Sequence, residues 1–159
     1  MTEQKILNVV LCSLVKNGKI LLIQRADGTY KNYWSLVGGK IEFGESVEEA
    51  AERELFEETG IKAKFEKLAG LASEVICKKG QKTKHFILFV TKLKAEKFDI
   101  TESEEGKLEW FELDKLDKSI IIPSDYLMIQ EYIKKDYPLK IHKIKVTQNG
   151  EKYDLEEFI

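Results

Sequence analysis

The stretch GKIEFGESVEEAAERELFEETGI, residues 39–61, decides the fold of this chain. Its second half predicts a helix over Ser46–Thr59, because the Ser46 hydroxyl can accept a hydrogen bond from the backbone amide of Glu49 while the Glu49 side chain reaches back to Ser46. Gly60 predicts a left-handed cap at the end of that helix. The stretch therefore combines a glycine entry, a loop and a capped helix.

Three carboxylates on this helix indicate a cation site. Glu54, Glu57 and Glu58 stand at positions i, i+3 and i+4 and so share one side of the helix. They lie toward its negative end, where clustered carboxylates are unfavourable unless a cation neutralises them. Oxygen donors without Cys or His select Mg²⁺, Mn²⁺ or Ca²⁺ over zinc, and Mg²⁺ often binds together with substrate phosphates. A solvated acidic face is the alternative.

Three apolar runs before the stretch predict strands. They are Ile6–Val15, Lys19–Arg25 and Trp34–Val37. The first two flank Asn17-Gly18, the strongest short signal for an antiparallel hairpin. Ala26–Tyr33 is polar and predicts an exposed loop. Gly38 and Gly39 follow the third run and would let the backbone approach a ligand closely.

Apolar runs after the stretch predict two more hairpins, a short strand and a second helix. The predicted strands are Leu68–Cys77, Thr83–Leu93, Lys107–Phe111, Leu139–Val146 and Lys152–Phe158. Ser124–Lys135 has apolar side chains at helical spacing, and Pro123 suits a helix start. The last two strands flank Asn149-Gly150 and predict a C-terminal hairpin, which could cover a sheet edge, contact a second subunit or limit substrate size.

Length and composition predict one cytoplasmic domain over residues 1–159, with 139–159 as a hairpin extension. The net charge of −2 and the pI near 5.8 supply no broad basic surface for a nucleic-acid polymer. No apolar run reaches the roughly 20 residues that span a bilayer. Cys12 and Cys77 lie in apolar runs without metal-ligand spacing, so we expect reduced core thiols.

The same stretch resembles the signature of the Nudix hydrolase family with no departure. The matching pattern is Gly39, five residues, Glu45, seven residues and then Arg53-Glu54-Leu55-Phe56-Glu57-Glu58-Thr59-Gly60-Ile61. Residues 39–61 are called the box below. The resemblance implies an α/β fold, the Nudix-type α/β/α sandwich with a mixed β-sheet. It also implies cleavage of a diphosphate linkage that depends on Mg²⁺, with Mn²⁺ as a substitute.

The resemblance also implies roles for residues of the box. Glu54, Glu57 and Glu58 resemble the family's metal-binding carboxylates, and Gly39 offers a carbonyl ligand. Arg53 resembles the arginine that holds a helix carboxylate in its working rotamer. The residues with an expected structural role are Gly38, Glu45 and Gly60, with Glu45 bracing the loop. The residues with an expected catalytic role are Arg53, Glu54, Glu57 and a glutamate of a later loop, and which glutamate is the base stays open.

Residues outside the box are candidate substrate or catalytic contacts. Arg25, one of only two arginines, ends the strand before the active-site loop and could grip a phosphate. Glu105, or its neighbour Glu104, resembles the family's late metal ligand or base. Asp125 resembles the position that faces the base edge, and Trp34 could contact the substrate. The alternatives are an exposed cation for Arg25, a solvated loop for the glutamates, a helix cap for Asp125 and a core position for Trp34.

These features favour a MutT-like enzyme that converts a nucleoside triphosphate, possibly an oxidised one, into the monophosphate and pyrophosphate. A sugar nucleotide is an alternative substrate. A non-catalytic nucleotide sensor is an alternative of another class, although the box has lost none of its carboxylates. We expect a small-molecule nucleotide as partner, no nucleic-acid polymer, no membrane, and a monomer or homodimer.

Overall fold

A computed structural model describes residues 4–135 and 138–159 of the chain. The strands are β1 Ile6–Lys16, β2 Lys19–Arg25, β3 Trp34–Lys40, β4 Ala63–Lys78, β5 Gln81–Ala95, β6 Gly106–Glu112, β7 Ile141–Asn149 and β8 Lys152–Phe158. The helices are α1 Val47–Thr59 and α2 Pro123–Met128, with a 3-10 turn at Leu113–Lys115 and a π turn at Ile129–Ile133. No helix in these ranges is long and apolar enough to cross a membrane.

The strands form a mixed sheet in the order β6-β2-β3-β1-β5-β4-β7-β8. The pairs β1–β5 and β4–β7 are parallel, and the other neighbouring pairs are antiparallel. The hairpin predicted at Asn17-Gly18 is confirmed, with both residues at positive φ as such a tight turn requires. The two strands pair only beside that turn, because β1 then turns to β3 and β5 while β2 pairs with β3 and β6.

Helices cover both faces of this sheet. Helix α1 packs its buried Ala51 and Leu55 on one face, in a cluster that includes Val10 of β1. The other face carries Met128 of α2 and Ile129 of the π turn. Each such fully buried aliphatic side chain contributes about 1.5–3 kcal/mol to folding. The predicted α/β/α sandwich is therefore confirmed.

The ends of helix α1 are those that the sequence predicts. The Ser46 hydroxyl accepts from the Glu49 amide, and the Glu49 carboxylate accepts from the Ser46 amide, which completes the capping box. Gly60 adopts the left-handed conformation at φ 73°, and its N–H donates to the Phe56 carbonyl. Local sequence alone therefore determines where the box helix begins and ends.

Two local predictions need correction. The second helix begins at Pro123 and changes to a π turn after Met128, so the predicted regular helix over Ser124–Lys135 is wrong in its second half. The loop Ala26–Tyr33 is not wholly exposed, since the Tyr30 ring is buried against Tyr153 of β8. Helical spacing of apolar residues does not distinguish an α turn from a π turn, and a tertiary contact overrides the polar composition of the loop.

The two cysteines and the C-terminal hairpin follow the predictions. Cys12 and Cys77 are both buried and free. Strand β7 pairs in parallel with β4, and β8 pairs with β7 on its outer side. Among the three expectations for the hairpin, covering a sheet edge is what it does here.

Replacing Ile144 tests whether the hairpin contributes to the core. The side chain is fully buried in the cluster beneath α2, so Ile144→Ala should lower the free energy of unfolding by about 2–5 kcal/mol in chemical denaturation. Ile141→Ala, in the same strand but exposed, is the matched control and should change it by less than about 0.5 kcal/mol. Equal losses would show that β7 does not pack as described.

Candidate active site

Two glycines bring the end of β3 against its neighbours. A β-carbon on Gly38 would lie 2.0 Å from the Val10 carbonyl oxygen, which is far inside contact distance. A β-carbon on Gly39 would lie 2.5 Å from the Glu54 carboxylate. Any side chain at either position would therefore displace strand β1 or the carboxylate, and the box carboxylate sits directly on the backbone of β3.

Arg53 is the centre of a hydrogen-bonded network in the box. Its Nε and Nη2 donate to the two oxygens of Glu45 at 2.5 and 2.8 Å, in the bidentate geometry that arginine favours with carboxylates. Its Nη1 donates to Glu54 at 2.7 Å and to Glu57 at 3.2 Å. Nη2 also donates to the Lys40 carbonyl at 3.1 Å. The structure thus brings Glu45, Arg53 and Glu54 together as the resemblance implies.

The network fixes the charges of its members. Hydrogen bonds from Arg53, aided by the Glu42 amide, lower the pKa of Glu45 to about 2. Glu45 in turn raises the pKa of Arg53 further above its ordinary value. Burial raises the pKa of Glu54, while Arg53 opposes that shift. The loop glutamate therefore stays ionised and holds the arginine, which holds Glu54.

Glu58 has no such counterion. It is buried, and burial together with the charges of Glu54 and Glu105 raises its pKa to about 8. The Gly38 amide and the charge of Arg25 oppose this shift only in part. A carboxyl with a raised pKa beside other carboxylates is stabilised in its ionised form by an added cation.

The donor set fits a hard divalent cation. Glu54, Glu57 and Glu58 supply oxygen donors only, and the Gly39 carbonyl lies on the same strand end that Glu54 contacts. Glu57 is 57% exposed and is drawn toward Arg53. Within residues 4–135 and 138–159, no three His, Cys, Asp or Glu side chains converge into a ready-made metal site. Glu57 must therefore exchange its contact with Arg53 for one with the cation.

The structure distinguishes between the two glutamates of the late loop. Glu105 is exposed, and its charge acts on Glu58. Its carbonyl accepts from the Ala26 amide at 3.0 Å, which joins the late loop to the residue after Arg25. Glu104 is exposed and does not contribute to the pKa of Glu58. Glu105 is thus the member of the pair placed beside the box.

Arg25 lies between the box and the opposite face of the sheet. Its Nε donates to the Thr29 carbonyl at 2.8 Å, and its charge lowers the pKa of both Glu58 and Asp125. It lines a cleft of about 240 Å³. The other residues of that cleft are Gln24, Ala26, Asn32, Glu102, Ser103, Gly106 and Lys107. A guanidinium that faces both regions is more than an isolated strand-end cation.

Asp125 does not cap the second helix. That helix begins after Ile122, with no side-chain cap, and the Asp125 carboxylate instead accepts from the Leu36 amide at 2.8 Å. The helix-cap alternative is therefore wrong. Burial, opposed by that amide, raises the pKa of Asp125 to about 7. The carboxyl ties α2 to β3 just before Gly38 and Gly39.

Trp34 packs as a core residue. Its ring meets Phe111 edge to face at 4.9 Å, and its backbone bonds to Ile120 and Ile122. These contacts support the packing alternative. A contact of Trp34 with substrate stays a prediction.

Three buried polar residues near this region were not predicted. Tyr30, Glu74 and Ser124 lie on the sheet face beneath α2. The sequence carries one signal for Glu74, because this carboxyl alternates with Ala72 and Ile76 on the buried side of a strand. No comparable signal marks Tyr30, which lies in a polar loop.

Comparison with known proteins agrees with the box. The family model of the NUDIX domain matches residues 5–132, most of the chain. The chain belongs to the Nudix hydrolase family. It is 32% identical over 120 residues to a Nudix hydrolase of Bacillus subtilis, covering 74% of this chain and 73% of that protein.

Further relatives place this Nudix hydrolase with MutT-like members. It is 30% identical over 128 residues to an oxidized purine nucleoside triphosphate hydrolase of Danio rerio, covering 80% of this chain and 78% of that protein. A crystal structure of a MutT protein from Bacillus halodurans superposes with a TM-score of 0.72 at 27% identity, covering 94% of this chain and 97% of that one. This chain is therefore a MutT-like Nudix hydrolase, and the family acts on small nucleotide substrates.

Substituting Asp125 tests its buried carboxyl through the pH dependence of stability. Its pKa is raised from 3.8 to about 7 in the folded state, so the folded chain binds more protons between these values. The free energy of unfolding should therefore fall as pH rises through this window, by up to about 1.4 kcal/mol per pH unit. Asp125→Asn keeps a carbonyl for the Leu36 amide and should remove this part of the slope in denaturant titrations.

Asp117→Asn is the control for that titration. Bonds from Ser119 lower the pKa of the exposed Asp117 carboxyl, so its contribution is lost only as the pH falls through the acid range. The profile between about pH 5 and about pH 7 should match that of the native chain. An unchanged slope in Asp125→Asn would contradict the raised pKa.

Proposed function

We propose that this Nudix hydrolase converts a nucleoside triphosphate and water into the nucleoside monophosphate and pyrophosphate, in a reaction that depends on Mg²⁺ and accepts Mn²⁺ as a substitute. The observation that carries the proposal is the buried, uncompensated Glu58 carboxyl beside Glu54, which an arginine network holds against the end of β3. The oxidized purine nucleoside triphosphate hydrolase of Danio rerio, similar over most of the chain, supports the triphosphate substrate.

Glu54, Glu57, Glu58 and the Gly39 carbonyl are the groups that would hold the metal. When bound, the metal supplies Lewis-acid activation of water and positive charge for the phosphate oxygens. Arg53 positions Glu54 and Glu57 through its Nη1, and Glu45 fixes Arg53 by two hydrogen bonds. The carboxylates are therefore arranged before substrate arrives.

Glu105 is the proposed general base. Its carboxylate is exposed on the loop that contacts Ala26 and lies near Glu58, so it can take the proton of the attacking water as the phosphorus–oxygen bond to the leaving group breaks. Arg25 would bind the substrate phosphates from the cleft beside this loop. Asp125 and Trp34 stay proposed substrate contacts on the far side of Arg25.

A substrate panel separates this proposal from its alternatives. The purified protein with Mg²⁺ is assayed for pyrophosphate and phosphate release from nucleoside triphosphates, sugar nucleotides and dinucleotides. Fastest turnover of a triphosphate to monophosphate and pyrophosphate is expected. Preference for a sugar nucleotide would replace the substrate assignment, and nucleotide binding without any turnover would favour the sensor.

Glu58→Gln and Glu57→Gln test the metal carboxylates. Each removes one negative charge from the cluster that would hold the metal, so we expect kcat/KM to fall by about 10²-fold or more with Mg²⁺. The fold should survive Glu58→Gln, because the neutral amide would replace a carboxyl that burial already disfavours in its ionised form. Glu48→Gln, exposed on the first turn of the same helix, is the control and should keep full activity. Full activity in both test variants would contradict the metal assignment.

Glu105→Gln tests the base. General-base catalysis typically contributes 10²- to 10⁴-fold, so kcat should fall by roughly that factor while KM changes little. Glu104→Gln is the matched control, because it is an exposed neighbour on the same loop and does not act on Glu58. Equal rates for the two variants would assign the proton to another group.

A further inference from the structure

A buried polar cluster lies on the sheet face opposite α1. It consists of Tyr30 from the β2–β3 loop, Glu74 from the middle of β4 and Ser124 from the first turn of α2. Their exposed fractions are 5%, 3% and 1%. Apolar side chains of the large core cluster, such as Ala72 and Ile76, surround them. Polar side chains so deeply buried are normally hydrogen-bonded.

The polar atoms of this cluster are not satisfied by the protein. The Tyr30 hydroxyl, Glu74 Oε1 and the Ser124 hydroxyl have no hydrogen-bond partner in the part of the chain that the structure describes. They are nevertheless neighbours, since the two hydroxyls moderate the pKa of Glu74, which burial raises. Three groups that approach one another without pairing form a site that a ligand with its own donors and acceptors can satisfy.

Tyr30 enters this cluster from a loop with a strained backbone. Its φ is 60°, a left-handed conformation that is unfavourable for a bulky residue. The ring packs on Tyr153 of β8 with centroids 4.3 Å apart, and the Tyr30 amide donates to the Tyr153 hydroxyl. The ring is therefore held by contacts at its side, while its polar end is left without a bond.

Electrostatic contacts connect the cluster to the box. Asp125 follows Ser124 in the chain, and the charge of Glu74 raises its pKa. The charge of Arg25 acts on Asp125 and also on Glu58 of the box. Arg25 thus stands between the cluster and the carboxylates, as a phosphate-binding residue would stand between the base and the scissile linkage of a nucleotide.

We propose that the Tyr30 ring occupies the space that accepts the base of the substrate, and that Glu74 and Ser124 bind the polar edge of that base after Tyr30 moves out. The proposal rests on the proposed function only in taking a nucleotide as substrate. A flat ring with a hydroxyl at its tip matches the shape and chemistry of a base with a polar edge. A protonated carboxyl offers one donor and one acceptor, which complement a base edge with an N–H beside a ring nitrogen or carbonyl.

The first test separates base recognition from structural support at Glu74. Affinity is measured by calorimetry with Mg²⁺ for a non-hydrolysable nucleoside triphosphate analogue and for inorganic tripolyphosphate, which has no base. Glu74→Leu should weaken analogue binding at least tenfold and leave tripolyphosphate binding unchanged. Glu74→Gln retains a donor and an acceptor and should stay within about threefold of the native affinity. Equal affinity of all three proteins for the analogue would overturn the role of Glu74, and so would an equal loss for both ligands.

The second test concerns Tyr30. If the ring must leave before the base enters, a smaller side chain removes an obstacle, because the binding-competent fraction of the protein rises. Tyr30→Leu should therefore lower the thermal unfolding midpoint and at the same time bind the analogue at least threefold more tightly. Tyr33→Leu is the control, since Tyr33 packs on the same Tyr153 but is not part of the cluster, and its analogue affinity should be native. Unchanged or weaker binding by folded Tyr30→Leu would overturn the proposal.

Failure of this inference and failure of the proposed function give different results. A native protein that neither binds the analogue nor hydrolyses any triphosphate removes the nucleotide substrate itself and with it this inference. A native protein that hydrolyses triphosphates, with analogue affinity that is indifferent to Glu74 and Tyr30, removes only the base site.

Discussion

The contact between Arg53 and Glu45 is the interaction on which the rest of the site depends. One guanidinium holds the loop through Glu45, the helix through Glu54 and Glu57, and strand β3 through the Lys40 carbonyl. A lysine could not make these bonds together, because its ammonium lacks the planar fork of donors. Glu54 can then rest on Gly39, and the repulsion between carboxylates is confined to the buried Glu58.

Much of the fold was predictable because its signals are local. The capping box at Ser46, the left-handed Gly60 and the turns at Asn17-Gly18 and Asn149-Gly150 each depend on a few adjacent residues. Sheet order was not predictable residue by residue, since β1 leaves β2 after the turn to pair with β3 and β5. The π turn after Met128 likewise depends on packing that apolar spacing does not specify.

The candidate site divides in the same way. The box carboxylates and Arg53 were predictable, since a helix fixes their spacing and the signature names them. Glu105 and Glu104 were indistinguishable in sequence, and only the fold brings one of them to Glu58. Asp125 was misjudged as a cap because its partner, the Leu36 amide, lies 89 residues away in the chain. Tyr30 was overlooked because a polar loop gives no sign that one of its rings is buried by the last strand.

The pairing of Tyr153 with Tyr30 separates two tasks along the chain. The chemistry is specified within the 23 residues of the box, whereas the loop that borders the base side rests on the last strand of the described sheet. Changes in the terminal hairpin can therefore reshape the ligand side through Tyr30 without altering a carboxylate. For protein engineering and for divergence from relatives, the terminal hairpin is a module in which selectivity can vary while the hydrolytic apparatus is inherited intact.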